Sequence, residues 1–224
     1  LGRSRKNILA VTMPALATSD RTRSQAHALA ENLGVTLKEI RLNDHVNEHL
    51  DIIGHDGSTQ DKAYENAQAR ARTMVLMNLA NMHNGLVLGT GDMSEIALGW
   101  CTYNGDQMSM YNINAGLPKT LVRFMVANYA DRKFGDAVED TIEDVLGTPI
   151  SPELLLGQET EEVIGSYEVN DFILHRFLRF GDDEPRIQWL IEAAFDLSVD
   201  DAAQYVRQFF KRFYSQQFKR QASP

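Results

Sequence analysis

The run Gly89–Glu95 (GTGDMSE) packs two glycines, a threonine, a serine and two acids into seven residues. It follows the apolar Leu86–Leu88, so it reads as the turn from a buried strand into a helix capped by Asp92 or Ser94. Backbone amides at such a helix start suit an anion. Glu95 is placed to hold Mg2+ between phosphates, since that ion takes oxygen ligands and commonly only one or two carboxylates. A plain strand-to-helix turn with a capping acid would use the same residues.

Asn66 and Arg70 are four apart and share a face of one helix, while Arg72 points elsewhere on the cylinder. An amide beside a guanidinium suits a ligand carrying phosphate or carboxylate groups, and equally a solvated surface. Lys119 follows Pro118 at the start of another helix. Lysine is better placed at a helix C-terminus, and a residue set against its local preference tends to mark function, here a point charge on phosphate. His45 and His49 are spaced for a metal, but there is no cysteine partner and no HExxH, so they read as solvated residues. Cys101 has no adjacent histidine and reads as a packing residue, not a nucleophile. The basic residues Arg207, Lys211, Arg212, Lys219 and Arg220 read as a solvated face, with Lys219 and Arg220 able to meet a ligand phosphate.

Alternating strand and helix signals position these residues. Asn7–Thr12 reads as a strand covered on both faces, and Thr18–Asp20 and Gly34 bracket a helix with Ala26, Leu29, Ala30 and Leu33 on one side. Val35–Leu42 alternates as a strand, Asp44–Gln60 reads as a loop, and Lys62–Met82 as a long helix with Ala67, Ala71, Met74 and Val75 in one stripe. Leu86–Leu88 is the third strand. The order implies an α/β fold: a Rossmann-like open parallel sheet with helices on both faces, and ligands at the carboxyl ends of the strands. Trp100–Pro118 has no clean period and reads as a long functional loop. Helices are expected over Lys119–Phe134, Glu139–Val145, Glu168–Phe177, Pro185–Phe195 and Val199–Phe218, the last with a core stripe of Val206, Phe209, Phe210 and Phe213. The TPISPELL stretch reads as extended. No repeat or linker divides the chain, so residues 1–224 are expected to form one domain.

Composition sets the outer bounds. The chain has 224 residues, is 43% hydrophobic and 24% charged, and carries a net charge of −9, an ordinary globular balance. That charge argues against nucleic acid, whose binding runs on clustered lysine and arginine. There is no membrane-spanning run and no signal peptide, and one cysteine fits a reducing, cytoplasmic setting.

Together the segments ENAQARAR, VLGTGDMSEIALGW, CTYNGDQMSMYNINAGLPKTLV, SPELL, GQETEE and QQFKR occur in the order seen in NAD+ synthetases. The resemblance is to the glutamine-dependent kind and extends from about Asn7 to Arg220. It implies an adenine nucleotide alpha-hydrolase-like fold, ATP and Mg2+ as substrate and cofactor, and amidation of deamido-NAD+ to NAD+ through an acyl-adenylate. The ammonia would come from glutamine, by way of a glutaminase domain, or from free ammonium. By the same resemblance Met13, Thr90, Lys119 and Ser151 contact ATP and Glu95 holds Mg2+. Asn66, Arg70, Glu95, Trp100, Cys101, Thr102, Tyr103 and Lys219 face deamido-NAD+, and the protein is a homodimer or larger homo-oligomer. Other readings remain open: a GMP-synthetase-like ATP-pyrophosphatase, or a non-catalytic nucleotide-binding or dimerisation fragment.

The sequence departs from the family in one respect. The phosphate loop SGGxDS does not occur among the 224 residues, and it is expected roughly 20–30 residues before Leu1, one strand–helix unit away. The chain is therefore expected to be incomplete at both ends and, alone, inactive or weakly active.

Overall fold

The computed structural model describes residues 4–16, 18–133, 136–151, 154 and 160–223. In chain order the elements are β1 (Leu9–Thr12), α1 (Asp20–Leu33), β2 (Thr36–Glu39), α2 (Asn43–Ile52), α3 (Lys62–Met82), β3 (Leu88–Asp92), α4 (Met93–Leu98), β4 (Tyr111–Asn114), α5 (Lys119–Lys133), α6 (Asp136–Leu146), α7 (Thr160–Ile164), α8 (Tyr167–His175), α9 (Glu184–Phe195), α10 (Val199–Ser215) and α11 (Gln217–Gln221). They divide into two compact units: residues 1–87 with 123–158, and residues 88–122 with 159–224.

In the first unit β1 and β2 pair in parallel, Leu9 opposite Thr36 and Thr12 opposite Glu39. A parallel pair needs a crossover, and α1 supplies it. Ser19 starts α1 by accepting the Thr22 amide, and Gly34 ends it in the left-handed region at φ 67°. Both strands are shorter than the sequence suggested. Arg5–Asn7 is a 3-10 turn, and Ile40–Leu42 lead out of the second strand. The stretch expected as a loop from Asp44 contains α2. Leu42, Val46 and Leu50 are spaced four apart, are 2, 0 and 0% exposed, and pack with Ala15, Tyr64, Ala67 and Ala71. Polar neighbours masked this helical stripe, which recurs only once per turn. α3 has the expected bounds, with Asp61 accepting the amides of Ala63 and Tyr64. Met74 is exposed, whereas Ala67 and Ala71 are buried and Val75 packs against their cluster. α6 packs on α1, and the buried Gln25 amide of α1 donates to Asp144 and Thr148.

In the second unit β3 and β4 pair in parallel, with Leu88 opposite Tyr111 and Gly89 opposite Asn112. The strand expected at Leu86–Leu88 is displaced: Leu86 and Leu88 are 59 and 55% exposed, and the GTGD residues are themselves strand. β4 lies within the segment expected to be irregular. Its pattern is inverted, with Tyr111 and Ile113 exposed and Asn112 and Asn114 half-buried, so no apolar alternation announces it. The helical remainder matches expectation, with α7 added, the expected last helix broken at Gln216 into α10 and α11, and a π-helical turn at Arg176–Phe180. Ile173, Ile187, Ile191 and Ala202 are fully buried, and Val206, Phe209 and Phe210 of the expected stripe join them. No helix among the described residues is long and apolar enough to cross a membrane.

Candidate functional site

α4 is short, and its start is fixed by two acids acting on each other. Asp92 Oδ1 accepts the Glu95 amide at 3.0 Å, and Glu95 Oε2 accepts the Asp92 amide at 3.2 Å. This reciprocal capping box uses one oxygen of each carboxylate. The other two oxygens converge on one atom: Lys119 Nζ lies 2.6 Å from Asp92 Oδ2 and 2.7 Å from Glu95 Oε1. Three backbone amides at this helix start are already bonded within the chain. The amides of Asp92 and Glu95 are taken by the capping box and that of Met93 by the Leu117 carbonyl. Asp92, not Ser94, is the cap.

Ser94 serves a second network. Its hydroxyl accepts the Lys119 amide at 2.8 Å and donates to Asp171 Oδ1, while the Thr120 amide and hydroxyl reach Asp171 Oδ2 at 2.9 and 2.7 Å. Asp171, on α8, thus ties the start of α4 to the start of α5 and sets where the Lys119 side chain begins. Burial pushes the carboxyls of Glu95 and Asp171 above their ordinary values. The same burial disfavours the Lys119 ammonium, but the charges of Glu95 and Asp92 outweigh it and hold the amine protonated. The Tyr167 ring lies under Nζ, 5.6 Å from ring centre, and its buried hydroxyl has no hydrogen-bond partner among the described residues.

At the far end of α4 a second set of expected residues assembles. Gly99 ends the helix at φ 59°, and Lys219 Nζ donates to the carbonyls of Gly99 and Cys101 at 2.9 and 2.7 Å. A cation there complements the helix C-terminus. Trp100 Nε1 donates to Thr160 at 3.3 Å with the Arg212 guanidinium over its ring, the Thr102 amide reaches Asp106 at 2.6 Å, and the Tyr103 ring packs on Phe218. Trp100, Cys101, Thr102, Tyr103 and Lys219 are thus brought together, and Glu95 and Lys119 are brought together, at opposite ends of a six-residue helix about 9 Å long. Cys101 is held by burial, which pushes its thiol up to about 12. Thr90 lies exposed in β3.

Met13, Asn66, Arg70 and Ser151 belong to the other compact unit. Asn66 and Arg70 lie on α3, half-buried and exposed, and Ser151 is exposed. Met13 packs against the Leu42–Val46–Leu50 cluster. Of the SPELL and GQETEE motifs, residues 152, 153 and 155–159 lie outside the described residues. His55 contacts Asp61 at 3.2 Å.

Two hard oxygens converging on one positive charge are a donor set that fits Mg2+, which keeps most of its waters and takes few carboxylates. The described residues bring no three histidine, cysteine or acidic side chains together as a metal centre.

Residues 2–223 match the NAD synthase family. The chain belongs to that family. It is 41% identical over 254 residues to the glutamine-dependent NAD(+) synthetase of Mycobacterium leprae, a match covering all of this chain and 37% of that protein. The Thermotoga maritima protein of the same description is 32% identical over 185 residues, covering 82% of this chain and 32% of its own length. The chain thus spans little more than a third of these relatives. Among solved structures, a glutamine-dependent NAD(+) synthetase from Cytophaga hutchinsonii superposes at TM-score 0.75, with 19% identity, over 95% of this chain and 34% of that one. An NMN synthetase from Francisella tularensis gives 0.72 with 22% identity, over 95% and 75%. The α/β fold with parallel strands is therefore that of the NAD synthetases. A further synthetase, from Acinetobacter baumannii, was solved in complex with ADP, at TM-score 0.57 and 24% identity over 96% of this chain and 36% of that one.

Three residues at the site have roles that spacing did not reveal. Asp92 is an ion-pair partner as well as a cap, Asp171 anchors two helix starts, and Tyr167 floors the Lys119 amine. The one available signal for Asp171 was an acid flanked by Val169, Ile173 and Leu174, all buried, since a charge on an apolar face must find partners.

Proposed function

We propose that this chain is the synthetase part of a glutamine-dependent NAD+ synthetase and amidates deamido-NAD+ at the expense of ATP. A nicotinate carboxylate is a poor acyl donor. Its oxygen attacks the α-phosphorus of ATP, the bond to the β-phosphate oxygen breaks, and pyrophosphate leaves. Ammonia, free or from glutamine, then attacks the acyl carbon; AMP leaves with the bonding pair, and a proton is released.

The observation that carries the reading is the Lys119 ammonium, fixed at the start of α5 within reach of Asp92 and Glu95 and held protonated there. A fixed cation offsets charge that develops on phosphate oxygens. When bound, Mg2+ supplies further charge neutralisation on those oxygens. Glu95 is the carboxylate we assign to it, and Thr90, on the adjoining strand, together with Met13 and Ser151, is assigned to ATP. The Trp100–Tyr103 segment, stiffened by Lys219, offers aromatic faces and backbone groups to the dinucleotide, with Asn66 and Arg70 as polar contacts. Homodimerisation follows from the same resemblance.

Differential scanning fluorimetry tests the assignment. Deamido-NAD+ is expected to raise the melting temperature and xanthosine monophosphate to leave it unchanged; the reverse would favour a GMP-synthetase-like protein. In an amidation assay with ammonium, ATP, Mg2+ and deamido-NAD+, the 224-residue chain is expected to turn over far more slowly than a full-length relative. An equal rate would overturn that expectation.

A further inference from the structure

We propose that Asp92 and Glu95 form a single cation seat that the Lys119 ammonium and a divalent cation occupy alternately, so that metal binding is what releases the amine toward phosphate. The inference rests on the proposed function for the identity of the phosphate, but the exclusion itself follows from the side chains alone.

The capping box leaves one oxygen of each carboxylate unused, Asp92 Oδ2 and Glu95 Oε1, and both point at Lys119 Nζ. A divalent ion of the Mg2+ class would have to approach those oxygens to about 2.1 Å. That places it where the ammonium now sits, and two positive charges cannot share the position at contact distance. Occupancy is therefore exclusive.

Charge decides the order of events. Asp92, Glu95 and Lys119 side chains are only 2, 23 and 17% exposed. With both acids ionised and one ammonium, the seat is net negative, and Asp171 adds a further buried acid to the same network. A bare phosphate meets this surplus and must also strip the amine from two buried carboxylates, an unfavourable separation in a poorly hydrated place. Replacing the single positive charge by a double one neutralises the seat and frees the amine in one step. The Tyr167 ring already lies under Nζ, and its hydroxyl, in a residue 2% exposed, has no partner among the described residues.

The same coupling makes a testable statement about metal binding without nucleotide. Mn2+ binding to the 224-residue chain is titrated by electron paramagnetic resonance for wild type, K119M and K119M/D92N. Removing the resident amine should tighten Mn2+ binding at least tenfold, and removing Asp92 from that variant should abolish the gain. A folded K119M that binds Mn2+ no better than wild type would overturn the proposal. If circular dichroism shows K119M unfolded, the wild-type chain decides. Saturating Mn2+ should speed acetylation of Lys119 by an N-hydroxysuccinimide ester at least fivefold relative to the exposed Lys62, read by peptide mass spectrometry, and an unchanged ratio would overturn it. No ATP or deamido-NAD+ is present, so failure here is distinct from failure of the fluorimetry that tests the reaction.

Discussion

Both donors of Thr120, its amide and its hydroxyl, end on the same oxygen of Asp171, at 2.9 and 2.7 Å. The other oxygen takes the Ser94 hydroxyl, which in turn accepts the Lys119 amide. One buried carboxylate therefore satisfies three donors drawn from two helix starts. D171A would leave them unpaired, at a cost on the order of 3 kcal/mol. D171N keeps one acceptor and should cost less than half of that. Urea denaturation, with the m-value unchanged, measures both; a D171A chain as stable as wild type would remove Asp171 from the positioning of Lys119.

The two glycines of GTGD have different reasons to be there. A Cβ on Gly89 would lie 2.6 Å from Ser109 Oγ and 3.3 Å from the Asn112 Cα on the partner strand. On Gly91 the nearest atoms would be 3.6 and 3.7 Å away, an ordinary contact. G89A should therefore destabilise the chain by about 1–3 kcal/mol, while G91A should be nearly neutral. Equal losses in thermal denaturation would show that backbone freedom, not the approach of β4 to β3, is what the pair provides.

That contrast shows what the sequence could and could not convey. The glycines read as part of a turn, whereas they lie in a strand. Lys119 and Glu95 were legible as charged residues at helix starts. Their ion pair was not, because it joins residues 24 apart through the crossover between β3 and α5. α3 matched its expected bounds because its cap, length and stripe agree. α2 was missed because three apolar residues among His, Asn, Asp and Glu carry little weight until their partners in Tyr64, Ala67 and Ala71 are known. β4 was missed for the opposite reason: its apolar side chains face out.

Lys219 is expected to act on the Trp100–Tyr103 segment through carbonyls. K219M keeps the length of the side chain and removes the two donors to Gly99 and Cys101. It should cost about 1–2 kcal/mol of stability and weaken deamido-NAD+ binding measured by calorimetry. K219R, which can still donate, should recover part of both. A variant that loses binding with stability unchanged would show that the amine contacts the ligand directly.

Cys101 should be inert. Its thiol is held near 12 by burial first and then by Asp106, against an ordinary value near 8.5. At pH 8 the thiolate fraction should be roughly a thousandfold below that of a free cysteine, and iodoacetamide should label the folded chain slower by a comparable factor. Rapid labelling in the native state would mean that the loop opens. C101A should leave ligand binding largely intact, since the segment is proposed to meet the dinucleotide through aromatic faces and backbone groups, not through the thiol.

Acid stability should depend on Glu39. The Arg23 guanidinium, bonded to it at 2.8 and 2.7 Å, and then the His27 ring at 2.7 Å hold its carboxyl at about 2, below the ordinary 4.5. A carboxyl whose folded value is depressed stabilises the fold above its unfolded value and loses that contribution as pH falls through the interval. The window is therefore about pH 4.5 down to about 2. Glu39 is itself half-buried, but its partners Arg23 and His27 are substantially exposed, so salt should shrink the effect. Melting temperature followed from pH 7 to pH 2 should fall less steeply for E39Q than for wild type across that window, with the two curves parallel above pH 5. Parallel curves throughout would mean that the Arg23–Glu39–His27 cluster contributes nothing to holding α1 against β2.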